Sequence, residues 1–468
     1  VTEPGDRSAP LWYGRFSEPP APEAHVLTSS LRFDVRLAGQ DVESSVAHVR
    51  TLEEAGLLDA GDADALEKAI REVGDEIAAG TFAFDPSDED VHSAIERGVT
   101  ARLGDLGARL HAGRSRNDLV VTDLRRWLLS AACDVDAGLV RMIAALVAHA
   151  RAHAATPLAG TTHARPAQVV TLGHHLLAHA WALVRDRERL SGWAARTDVS
   201  ALGAGALATS TLGLDPAATA RRLGFGRAFD NSIDAVSDRD FAQEFLAVAT
   251  ISATHLSRLA ADIARWSDPA LGWATVAQAY ATGSSMMPNK RNPDVAELVR
   301  AKPGGILGDL VALTTVLSGM PLGYHRDLQE DKEPLFDAAD TLVASLGALA
   351  GCVETLTFDP AAMRTAASDP DLFATDLAEA LVRVGTPFRD AHRRVGALLR
   401  DLEASGRTLS DLTAQEWAAF GVPDGASLLD PDVSVAARSS RGGPAPDSVH
   451  AQADAIDRLV RDRPWTSA

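Results

Sequence analysis

The sequence predicts a mainly α protein built around a bundle of long helices, and three observations predict it. Ala and Leu recur throughout while aromatic residues make up only 5%, which favours closely packed helices over sheets. Residues 227–268 contain no Gly and no Pro, while Phe241, Phe245, Val248, Leu256, Leu259 and Ile263 keep a helical period. At 468 residues the chain exceeds one ordinary core and suggests two to four domains. Helices of roughly 25–40 residues bury their apolar stripes only side by side in a bundle, often against other subunits as well.

Residues 1–35 are rich in Pro, Gly and Ser, with Glu18-Pro19-Pro20-Ala21-Pro22 among them, and read as an extended arm. Helices follow over 38–57 (Val42, Val46, Val49) and 62–79 (Leu66, Ile70, Val73, Ile77), where apolar residues recur at threes and fours. Residues 118–153 repeat the pattern with Leu124, Leu128, Val135, Leu139, Met142 and Leu146. Long segments are also expected over 168–190, after a turn region at 231–238, and over 327–356 with Gly347 and Gly351 as weak points. Beyond Asp359 the pieces shorten around Pro360, Pro370, Pro387, Pro423 and Pro431. The expected division is an N-terminal helical domain with an arm (1–112), a central bundle (113–362) and a small C-terminal helical domain (363–468).

A net charge of −19 and a pI near 5.1 argue against a nucleic-acid partner, which calls for a basic face. They leave room for a small anionic substrate held by local cations and helix N-termini. Cys133 and Cys352 lack metal-ligand spacing, which fits a reducing, cytoplasmic setting. No run of about 18 apolar residues is evident, and residues 1–10 lack the basic-then-apolar pattern of a signal peptide, so no membrane role is expected.

Four polar runs can carry chemistry. Gly283-Ser284-Ser285-Met286-Met287-Pro288-Asn289-Lys290-Arg291-Asn292-Pro293 reads as a ligand-wrapping loop, with Asn292 as cap and Pro293 as first residue of the next helix. His111-Ala112-Gly113-Arg114-Ser115-Arg116-Asn117-Asp118 precedes a long helix, where Arg and Asn beside the positive dipole end suit a carboxylate. Gly160-Thr161-Thr162-His163 places an imidazole after two hydroxyls. Tyr324-His325-Arg326-Asp327-Leu328-Gln329-Glu330-Asp331-Lys332-Glu333 opens a helix with a dense polar run. Taken singly, each also reads as a solvated loop, cap or surface face, and a lone histidine is more often structural than catalytic. Two further patterns are rejected. Gly203-Ala204-Gly205-Ala206-Leu207-Ala208 mimics a dinucleotide fingerprint without a βαβ unit. His174-His175 and the Asp88, Asp90, His92 group mimic metal ligands, but adjacent helical histidines diverge by about 100°.

In their order along the chain, the four runs together resemble the aspartase/fumarase superfamily, and within it the argininosuccinate lyases. The resemblance runs from Leu11-Trp12 to Gly442-Gly443, with support from Asp88-Glu89-Asp90-Val91-His92, the 231–241 stretch and Thr386-Pro387-Phe388-Arg389. It implies an aspartase/fumarase-like three-domain fold, assembled as a homotetramer with a 20-helix core and active sites shared between subunits. It also implies β-elimination of argininosuccinate to arginine and fumarate, the last step of arginine synthesis, with no metal and no organic cofactor. By resemblance Ser284 is the base, and Lys290 and Asn292 stabilise the doubly charged intermediate. His163 acts on the departing nitrogen with Glu297 as its partner. Which of Ser284 and His163 is base and which acid stays open in the sequence. Ser30, Ser115, Arg116, Asn117 and Thr162 match positions that hold the succinyl carboxylates, and Tyr324, Gln329 and Lys332 those that grip the arginine end.

Several positions depart from the family pattern: Leu119, Thr161, Arg165-Pro166, Ala204, Asn289, Arg291, Pro303 and His325. They bear on the amine half of the substrate. A related lyase releasing fumarate from another N-substituted aspartate is therefore the second reading. A non-catalytic relative is the third, and retention of Ser284, His163, Lys290 and Asn292 speaks against it.

Overall fold

The computed structural model describes residues 21–462. The proline run up to Pro20 and the Leu11-Trp12 pair lie outside them. The dominant feature is the predicted bundle, formed by Arg116–Ala152, Leu172–Thr197, Asp240–Trp266, the consecutive pair Asp294–Ala301 and Pro303–Leu317, and Lys332–Glu354. Their cross-contacts fix the directions. Arg125 reaches Thr197 O and Arg187 reaches Asp136, so the first two helices are antiparallel. Trp193 Nε1 donates to Phe241 O while His255 meets Asp186, which reverses the third against the second. Ser257 reaches Arg300 O and Gln243 reaches Thr314, which reverses the fourth stretch. Trp127 packs on Phe336 and Arg141 pairs with Glu354, so the last helix runs parallel to the first.

The apolar period seen in the sequence is what this bundle buries. Leu124, Leu128, Leu139, Met142, Leu146, Phe245, Leu256, Leu259 and Ile263 are all in the core. Gly351 does not weaken its helix. A Cβ there would lie 2.1 Å from the Tyr280 hydroxyl, so the glycine is a close-approach site. Lys302 joins the paired helices, with Pro303 at the first position of the second, where a missing N–H costs nothing.

Three expectations need correction. In the described part of the expected arm, residues 21–35, the helix Pro22–Thr28 and the one-turn helix Leu31–Asp34 replace extended chain. The segment expected over 168–190 begins as a strand. Pro166 and the β-branched Val169-Val170-Thr171 suit extended backbone, and the helix starts at Leu172 because the Thr171 side chain caps His174 N. The polar run at 326–331 is a 3₁₀ turn, and the helix begins at Lys332. One segment, Arg326–Glu354, is long and apolar enough to cross a membrane, with mean hydropathy 1.4 over its best window, but 61% of that window is buried inside the chain.

Among the described residues, strands occur only as three two-stranded pairings. Near the C-terminus, Leu377, Leu381, Val395, Leu402, Leu409 and Trp417 form a small separate core. The last helix, Pro446–Asp462, returns to the bundle, where Arg151 pairs with Asp454 and Asp457.

Candidate active site

The Ser115 end of the bundle is organised by carboxylates. The Ser115 hydroxyl accepts from Asn117 N at 3.2 Å, and Asp118 returns the bond to Ser115 N at 3.0 Å. The other Asp118 oxygen accepts the amides of Gly203 and Gly205, at 2.9 and 2.8 Å. The glycine run that mimics a dinucleotide motif is therefore a cradle for a buried side chain. Burial outweighs these three amide donors and pushes the Asp118 carboxyl up to about 6. His48 Nε2 bonds Ala112 O at 3.0 Å just ahead of the cap. Burial and the Arg114 charge push this imidazole down to about 3, so it props the loop in the neutral form.

Glu89 gathers the neighbouring elements. Its carbonyl accepts Ser30 N at 2.8 Å, and its carboxylate accepts Arg116 at 3.1 Å and Arg326 at 2.5 Å. Arg116 also reaches Asp90, the Ser30 hydroxyl donates to Asp34 at 2.5 Å, and Asn117 Nδ2 donates to Ala206 O at 3.1 Å. Sequence reasoning quoted Glu89 only as part of a supporting stretch and gave it no role. Gln329 is buried beside a cavity of about 490 Å³ walled by Glu23, Val26, Leu27, Arg32 and Phe33. Tyr324 is half-buried. Lys332 is buried, its Nζ 2.9 Å from Asp331, which also takes Arg239 Nε at 2.5 Å. One end of the bundle thus collects Ser30, Ser115, Arg116, Asn117, Tyr324, Gln329 and Lys332.

Thr162 and His163 stand at the other end. Strands β1 (Pro157–Thr162) and β2 (Arg165–Thr171) pair antiparallel with Thr162 opposite Arg165, leaving His163 and Ala164 as the whole turn. Both have positive φ, 52° and 59°. A two-residue hairpin of this hand favours Asn-Gly, and non-glycine residues there cost about 1–3 kcal/mol each. The strain holds an exposed imidazole at the tip. The helix from Arg116 to Ala152 has 37 residues, about 55 Å at 1.5 Å each. A six-residue strand spans only about 20 Å. Within one chain, His163 therefore cannot reach the Ser115 cluster.

The Ser284 loop is closed at its neck by Thr282 and Asn292, which exchange backbone bonds of 3.1 and 2.8 Å. This pairing corrects the expected cap. Asn292 is held in the bridge, Pro293 takes the cap position, and the helix starts at Asp294, whose carboxylate accepts the Thr282 hydroxyl. The Ser284 hydroxyl accepts two loop amides, Met286 N at 3.3 Å and Met287 N at 3.0 Å. Lys290 and Glu297 are exposed and Asn292 half-buried. Among the described residues, no hydrogen bond links Ser284 or Glu297 to His163 within a chain. Of the departures from the family pattern, Leu119 and Ala204 face the core, whereas Thr161 and Arg165 flank His163 on the exposed hairpin.

Residues 14–308 match the lyase family and residues 371–437 the argininosuccinate lyase C-terminal family. The argininosuccinate lyase of Frankia casuarinae is 49% identical over 97% of this chain and 99% of its own length. The chain belongs to the argininosuccinate lyase family. The corresponding enzyme of Mycobacteroides abscessus is 48% identical over 95% of both chains. Among solved structures, EDDS lyase in complex with formate superimposes with a TM-score of 0.83 at 29% identity, over 92% of this chain and 87% of that one. A variant of EDDS lyase with bound fumarate gives 0.81 at 28% identity, over 96% and 92%. The mainly helical fold and the carbon–nitrogen lyase class of the argininosuccinate lyase family thus agree with the resemblance read from the four runs.

Proposed function

We propose that this chain cleaves argininosuccinate to arginine and fumarate in the cytoplasm, as a homotetramer whose active sites are each assembled from several copies. The observation that carries the reading is the Ser284 hydroxyl held by two main-chain amides in a loop of the lyase type, within a chain 49% identical to an argininosuccinate lyase. Such donors stabilise an alkoxide able to remove the proton on the carbon next to a carboxylate. The resulting intermediate carries two negative charges on that carboxylate. Lys290 and Asn292 stabilise it, the C–N bond breaks, and His163, oriented by Glu297, hands a proton to the departing nitrogen. Ser30, Ser115, Arg116, Asn117 and Thr162 hold the succinyl carboxylates, while Tyr324, Gln329 and Lys332 take the arginine end. Charge is handled by protein dipoles and cations, so the scheme calls for no metal or organic cofactor.

Two features support the shared site. The Ser115 cluster and the His163 hairpin lie at opposite ends of a helix of about 55 Å. The apolar helix Pro303–Leu317 buries only Ile306 and Leu313 within the chain and leaves Leu307 and Val311 exposed at 48% and 56%. An exposed stripe of this kind on a bundle helix fits packing against other copies. Four copies of the five helical stretches make a 20-helix core. A cysteine complement of only Cys133 and Cys352 fits a reducing compartment.

The test is to follow fumarate absorbance with purified protein on argininosuccinate and on a panel of other N-succinyl amino acids. Release from argininosuccinate in preference to the panel is expected. Release from a panel member and none from argininosuccinate would transfer the reading to a related lyase, as the exposed Thr161 and Arg165 allow.

A further inference from the structure

His175 and His179 lie one turn apart on Leu172–Thr197 and direct Nε2 at the same atom, Oδ2 of Asp262 on Asp240–Trp266, at 2.7 and 2.9 Å. One donor atom from each of the three residues lies within 4.8 Å of the others. His174, the neighbour that the sequence pairs with His175, diverges from it, whereas a spacing of four places two side chains on one helix face. The His175 ring stands edge-on to Trp266 with centroids 5.1 Å apart, which limits its rotation. The three side chains are 33%, 14% and 28% exposed, so an ion can reach them and keep water on its open positions.

Both Nε2 atoms donate to the Asp262 carboxylate, so a bound ion takes the place of these two protons, which leave for solvent or for Nδ1. Two imidazole nitrogens and one carboxylate oxygen suit a zinc-class ion, while Mg²⁺ and Ca²⁺ prefer all-oxygen sites. Arg258, one turn before Asp262, is the opposing charge near His179. Metal–ligand bonds of about 2.0–2.2 Å in tetrahedral geometry need donors roughly 3.4 Å apart, so the rings must retreat by about 0.5–0.7 Å from their present 2.9 and 2.7 Å.

We propose that His175, His179 and Asp262 bind one divalent transition-metal ion of the zinc class per chain, clamping the second and third bundle helices together. The proposal is independent of the lyase reading, and its test reads no activity. Full-length protein is stripped with chelator and titrated with Zn²⁺, with Co²⁺ as a visible-absorbance probe, alongside H175Q, H179Q and D262N. Circular dichroism verifies the fold of each variant. Wild type is expected to take up one equivalent that each folded variant binds at least tenfold more weakly. It should also show a Zn²⁺-dependent rise in Tm that the variants lack and a Co²⁺ band that excess Mg²⁺ leaves unchanged. Equal Zn²⁺ uptake and equal Tm response in wild type and all folded variants would overturn it, as would displacement by equimolar Mg²⁺. The two imidazole variants alter partly exposed groups, so the decision does not rest on D262N alone.

Discussion

Ser284→Ala is expected to lower kcat for fumarate release by about 10²–10⁴-fold, the range for loss of a positioned general base. The recorded hydrogen bonds of the Ser284 hydroxyl are both with amides of its own loop, Met286 N and Met287 N. Its removal therefore leaves the bundle and the apolar face of Pro303–Leu317 intact. Stopped turnover with an unchanged oligomer by light scattering is the expected pair of results, with KM little altered because substrate is gripped by other segments. Wild-type rates in this variant would remove Ser284 from the mechanism.

Asp331→Ala is expected to destabilise the fold by about 3–5 kcal/mol, because it leaves the cations of Arg239 and Lys332 buried without their shared anion. Burial alone would raise the Asp331 carboxyl, but Lys332 and Arg239 outweigh it and hold the group below its ordinary value of 3.8. A carboxylate depressed in the folded state contributes stability above its unfolded pKa and loses it as pH falls through the folded one. Thermal unfolding should thus show the deficit at neutral pH and a smaller one at pH 3 and below. A variant within about 0.5 kcal/mol of wild type at pH 7 would contradict the buried-triad account.

What the sequence made legible was whatever depends on local periodicity. The stripe from Leu124 to Leu146 and the unbroken run after Arg239 give bundle helices because their apolar spacing leaves no other face to bury. The hairpin carrying His163 was hidden because Val169-Val170-Thr171 runs straight into a helix, and an apolar stretch that short has no distinctive period. Long-range pairings were illegible for a different reason. Nothing local says that Gly203 and Gly205 aim their amides at Asp118, or that Asp262 faces His175 and His179 from another helix. The Asn292 cap was misplaced by one residue because its backbone is claimed by Thr282, ten positions earlier. The candidate site residues were found through resemblance. Their division between two ends of a long helix emerged only once that helix had a length.

Because the proposed site draws on several copies, complementation between inactive chains is the decisive measurement. Ser284→Ala and His163→Asn chains, each inactive alone, are mixed in equal amounts, unfolded and refolded together, and assayed for fumarate. If each site draws these two residues from different copies, random assembly restores roughly a quarter of wild-type activity. Activity no higher in the refolded mixture than in either variant alone would mean that hydroxyl and imidazole come from the same chain, and the shared-site account would fail.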